Sequence, residues 1–118
     1  MLEALKSLLA RFGVDWAEFK VFVAHASGVS HDAMHVIVGV AAQLLLAAVL
    51  RRSLGSFWPW GIVLAAELLN EWNDLHVERW SAVGMQWGEM TKDVALTMIL
   101  PTLLLVLVRW RPGLFSRR

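Results

Sequence analysis

The chain has 118 residues, 58% of them apolar, and a formal net charge of only +1. The apolar share exceeds the roughly 45–50% of soluble domains, the length suits one domain, and no basic run offers a phosphate backbone a footing, which excludes nucleic acid as a partner. Without a cysteine, disulfides, thiolate catalysis and Cys-type zinc or iron–sulfur sites are excluded as well.

The first thirty residues carry Leu2, Leu5, Leu8, Leu9 and Phe12 at helical spacing, with Glu3, Lys6 and Arg11 elsewhere on the turn. That pattern predicts an amphipathic helix lying in a membrane interface. Because charges interrupt it, no cleavable leader is expected. A second piece, WAEFKVFVAHA, holds Glu18, Lys20 and His25 and is too short to span. Residues 1–30 are therefore read as an interfacial segment, punctuated by Gly28 and by Ser30 as a helix N-cap.

Three apolar segments follow, over 33–50, 57–75 and 92–109. Each has about 17–19 residues, enough to cross a hydrocarbon core of roughly 30 Å at 1.5 Å per residue. The expected fold is an all-α membrane protein, with three transmembrane helices in a domain spanning 31–111 and a basic cytoplasmic tail at 112–118. RRSLGS turns the chain between the first two helices, and the longer HVERWSAVGMQWGEMT links the second to the third. Arg51, Arg52, Arg109, Arg111, Arg117 and Arg118 share one side, whereas Arg79 and Lys92 on the other are offset by Glu78 and Glu89. The positive-inside bias then predicts a bacterial-type inner membrane with the N-terminus outside and the C-terminus in the cytoplasm. Trp58, Trp60 and Trp110 mark one interface; Trp72, Trp80 and Trp87 mark the other.

In that topology the polar residues converge at the outer leaflet. His31, Asp32 and His35 open the first span, Glu67, Asn70, Glu71 and Asp74 close the second, and Glu89, Lys92 and Asp93 open the third. Spacing of three, four and seven residues puts Glu67, Asn70, Glu71 and Asp74 on one helix face. Asp32, His35, Gly39 and Gln43 make a second stripe, and Glu89, Asp93 and Thr97 a third. Such stripes avoid lipid only by facing one another, since an intramembrane charge costs about 2.5–3.5 kcal/mol at mid-depth. Glu67, about 12 Å inside its helix end, must be neutral, paired or bound to a cation.

Three readings of this cluster stand open. It is a structural hydrogen-bond network that holds the helices in register. Or it is a cation site, in which His31, His35, Glu67, Glu71 and Asp93 offer nitrogen and oxygen ligands to a divalent zinc, iron or manganese ion, or relay protons. Or it is a headgroup site, in which Lys92, His31 and His35 meet a phosphorylated lipid. His25 and His76 lie outside the stripes and read as interfacial. Gly39 reads as permitting close helix approach, Gln43 as an interhelical hydrogen bonder, and Pro101 as a kink in the third span.

Asp32-x-x-His35 opening the first span, Glu67 and Asn70 on the next and Asp93 opening the last resemble the VanZ-like family of small multi-helix membrane proteins. Asp32, His35, Glu67 and Asp93 match its acidic and histidine positions. Ala33 stands where the family has lysine, Asn70 where it has glutamine, and Thr97 where it has asparagine. The resemblance implies an outward-facing polar site and a role in envelope or glycopeptide-resistance physiology. Apart from it, two functions are expected to compete. One is a cluster that binds a cation, proton or lipid headgroup, and the other a non-catalytic accessory subunit of a larger photosynthetic or respiratory membrane complex.

Overall fold

A computed structural model of the chain describes residues 1–77 and 83–115. Glu78, Arg79 and Trp80, to which an outer-loop charge balance and an interface anchor were assigned, and Arg117 and Arg118 of the basic tail, lie outside the described residues. Those described form helices and no strand: α1 (Leu2–Ser27), α2 (His31–Leu50), α3 (Phe57–Val77) and α4 (Val83–Trp110), followed by a 3-10 turn at Pro112–Leu114.

Local chemistry sets the ends. α1 stops at Gly28, whose left-handed backbone (φ 70°) returns its N–H to the Ala24 carbonyl, a conformation open to glycine without steric cost. Ser30 caps α2, its Oγ accepting the Ala33 N–H at 3.2 Å. At the other end of α2 the left-handed position belongs to Arg51 (φ 53°), and Arg52 donates to the Ala47 carbonyl at 2.9 Å.

Two expectations about element boundaries are corrected. The first thirty residues form one continuous 26-residue helix and not two pieces. A lone glycine costs a helix only about 1 kcal/mol, and Gly13 is offset by its place against Asn73. Most of the link between the second and third apolar segments is also helical, because α4 starts at Val83 rather than near Lys92. At 28 residues, or about 42 Å, α4 exceeds a hydrocarbon core.

α2, α3 and α4 pack on one another, α2 most extensively on α4, and α1 joins the bundle chiefly through α3. The division between inside and outside is inverted relative to a water-soluble domain. Among the described residues the buried apolar side chains are Ala47, Pro59, Val63, Met98, Pro101 and Leu105. The buried polar ones are more numerous: His35, Gln43, Glu67, Glu71, Asp74, Asp93 and Thr97. Ile37, Leu45, Val49, Leu69, Ile99 and Leu103 stand exposed on the outer faces. His31–Leu50 and Gly84–Trp110 are long and apolar enough to cross a membrane. Phe57–Val77 does not qualify by composition, since it carries Glu67, Glu71 and Asp74. The third crossing therefore turns on how α3 packs.

Two contacts lock α2 to α4. A β-carbon on Gly39 would run into the Thr97 backbone carbonyl, so glycine lets the two backbones meet. That carbonyl is the one Pro101, lacking an N–H, cannot serve four residues on. One turn deeper, Gln43, fully buried, donates from Nε2 to the Pro101 carbonyl at 3.0 Å.

Candidate functional site

His31 and His35 rise from the first turns of α2, one turn apart, with their rings edge to face at 4.7 Å between centroids. α3 brings Glu67, Glu71 and Asp74 along its buried face. α4 brings Asp93 and Thr97, both buried, from positions one turn apart. Three helices thus deliver imidazole, carboxyl and hydroxyl groups to one region, as the stripes predict.

His35 organises what meets there. Its Nδ1 lies 2.9 Å from Thr97 Oγ1 and 3.1 Å from Glu67 Oε1. Its Nε2 lies 3.2 Å from His31 Nε2 and 3.5 Å from Asp93 Oδ2. His31 Nε2 is itself 3.4 Å from Asp93 Oδ2. Two donor sets of metal-ligating type share this ring, His31–His35–Asp93 on one nitrogen and His35–Glu67–Glu71 on the other, each with its atoms within 4.8 Å of one another. The five candidate ligands therefore do not converge on a single point, because one imidazole separates the glutamates from His31 and Asp93.

The remaining predicted residues divide. Asp32 and Lys92 form an exposed pair at 3.0 Å, and Lys92 also reaches Glu89 at 2.8 Å. Lys92 is thus engaged at the surface and does not enter the buried group. Asn70 and Asp74 turn partly toward α1. Lys20 Nζ lies 2.6 Å from Asp74 Oδ1 and 2.9 Å from Asn70 Oδ1, which also accepts from Trp16 Nε1 at 2.9 Å. Asn73 adds a bond from Nδ2 to the Gly13 carbonyl at 3.1 Å. Asn70 Nδ2 links this layer back to Glu71 Oε1 at 3.3 Å. Trp16 and Lys20 were not among the expected site residues. Their signal is the run Gly13, Trp16, Lys20 at three- and four-residue spacing on α1, which gives a small, an aromatic and a cationic residue one face.

A cleft of about 190 Å³ opens beside the buried group, walled by His31, Glu71, Asp74, Glu89 and Asp93 with Leu75, Gln86 and Met90. His31 is half-exposed at its mouth, while Asp93 is buried and its Oδ1 accepts no hydrogen bond among the described residues. Buried carboxylate oxygens are costly to leave unmatched. No protein-family model, curated protein or solved structure matches the chain.

Proposed function

We propose that the chain is a small integral membrane protein in which α2, α3 and α4 each cross the bilayer, and that its outer-leaflet His/Asp/Glu cluster binds a cation or proton. The observation that carries this reading is the inverted interior. Glu67, Glu71, Asp74 and Asp93 are buried between helices whose outer faces are Leu, Ile and Val. In water, apolar surface on every side of a small bundle drives aggregation; in lipid it is the favourable arrangement, and acids turned inward escape the insertion penalty. α3 then crosses with its acids shielded by its neighbours.

Charge favours a cation over a phosphorylated headgroup. Asp32, Glu67, Glu71, Asp74, Glu89 and Asp93 gather with Lys20 and Lys92 as the only fixed cations among the described residues of the group, and Lys92 is held by Asp32 and Glu89. Arg51, Arg52 and Arg109 border a separate cleft at the opposite end, which the positive-inside bias places in the cytoplasm.

The protein is expected in the membrane fraction, resistant to carbonate and released by detergent. In detergent, its melting temperature should respond to pH and to added divalent ions, and Glu67→Gln with Glu71→Gln should flatten both responses. Recovery in the soluble fraction defeats the membrane reading, and a wild-type response that the double variant retains defeats the cluster.

A second reading, an accessory subunit of a larger assembly, draws on α1. Leu2, Leu5, Leu9, Phe12, Trp16 and Phe19 alternate at three- and four-residue spacing and all stand exposed, which suits either the interface or a partner helix. Migration from native membranes as a lone chain would count against a partner.

A further inference from the structure

We infer that His31, His35 and Asp93 form a tetrahedral site for a zinc-class divalent ion, with its fourth position open to the cleft; the inference rests on the cation reading above and names the ion. Its ground is the triangle of donor atoms. The edges are 3.2 Å between the two Nε2 atoms, 3.4 Å from His31 Nε2 to Asp93 Oδ2, and 3.5 Å from His35 Nε2 to Asp93 Oδ2. Bonds of about 2.0–2.1 Å at tetrahedral angles separate neighbouring ligand atoms by roughly 3.3–3.4 Å. The three edges straddle that value.

The surroundings of the other His35 nitrogen suit a ligand histidine. His35 Nδ1 faces the Thr97 hydroxyl and the Glu67 carboxylate. Bound to an ion through Nε2, the ring would carry its proton at Nδ1, where the Thr97 hydroxyl 2.9 Å away can accept it. A metal-binding histidine is held in the same way, its second nitrogen donating to a carboxylate or another acceptor that fixes tautomer and ring angle. Asp93, 3% exposed, gives Oδ2 to the triangle, and its Oδ1 accepts no hydrogen bond among the described residues. Two imidazoles and one carboxylate suit zinc better than calcium or magnesium, which take oxygen ligands.

The other donor sets are weaker. In His35–Glu67–Glu71 the nitrogen facing Glu67 also meets the Thr97 hydroxyl at 2.9 Å. In Asp32–Glu89–Asp93 the Lys92 ammonium already lies 3.0 Å from Asp32 and 2.8 Å from Glu89. His31, half-exposed at the cleft mouth, gives an ion its route in and leaves the fourth position to water.

The test is a titration of metal-stripped, detergent-purified full-length protein with Co²⁺, followed by displacement with Zn²⁺. The expected result is one cobalt per chain with the intense visible bands of four-coordinate geometry, bleached by zinc. His31→Ala, at an exposed position, should abolish the bands. Glu67→Gln should keep their shape and weaken binding about 10- to 100-fold, as loss of an outer-shell acceptor does. Lys92→Met should change neither. A detergent-extracted wild type with no bands, or with the pale spectrum of six-coordinate cobalt, overturns the metal site while the membrane reading stands, as does a His31→Ala variant that binds like wild type. A chain that needs no detergent overturns the membrane reading alone.

Discussion

Gly39 meets the Thr97 carbonyl where any β-carbon would stand, whereas nothing lies within 4 Å of the corresponding point on Gly61. Gly39→Ala should therefore destabilise the bundle by about 1–3 kcal/mol, the usual cost of overpacking. Gly61→Ala should be neutral or stabilising by up to about 1 kcal/mol, since it only removes a helix-interior glycine. Thermal unfolding in detergent checks both, and equal behaviour would refute the close approach. Lys20→Met strips Asp74, whose side chain is 9% exposed, of its 2.6 Å partner. A loss on the order of 2–4 kcal/mol is expected from an orphaned buried carboxylate. Lys6→Met, which breaks only the exposed Glu3 pair, should cost under about 0.5 kcal/mol. The histidine, glutamate and aspartate positions of the site were legible in the sequence because helical spacing assigns each to a face. Ring direction was not. Spacing cannot say which nitrogen of His35 meets Glu67 and which meets Asp93, and that choice splits five candidate ligands into two groups.

Among the elements, α2 was legible almost to the residue, from Ser30 as cap to the arginine pair beyond Leu50. α4 was misjudged at its start: charge and glycine at 84–92 suggested a loop, yet Gln86, Met85 and Met90 are good helix formers and carry the helix out past the apolar stretch. α1 was read as lying apart because its apolar stripe is what composition displays. Its docking face, Gly13, Trp16 and Lys20, is too sparse to form a pattern without Asn70, Asn73 and Asp74 opposite. The end of α2 yields a further prediction. Arg51 occupies a left-handed position, φ 53°, that glycine fills more readily. Arg51→Gly is expected to raise stability by up to about 1 kcal/mol in the same unfolding measurement, and a fall would mean that the side chain matters more than the backbone.

At the scale of the whole molecule, the absence of cysteine makes any introduced thiol unique. Ser27 and Ser53 are both exposed, at opposite ends of α2 by chain order. In the proposed orientation Ser27→Cys reacts with a membrane-impermeant maleimide on intact spheroplasts, and Ser53→Cys reacts only after lysis. The reverse pattern would place the acid cluster on the cytoplasmic side.

Pro101 ties these scales together. Thr97 touches His35 with its hydroxyl at 2.9 Å and Gly39 with the carbonyl that Pro101 leaves without its usual donor. The angle at which the imidazole is presented should thus depend on Pro101, which does not line the cleft. Pro101→Ala would offer that carbonyl an N–H, draw it back into the axis of α4 and swing the hydroxyl off the ring. The signature would be a cobalt spectrum altered in shape while every proposed ligand is intact, so that an imino acid two turns along α4 from Asp93 would serve as the keel of the proposed site.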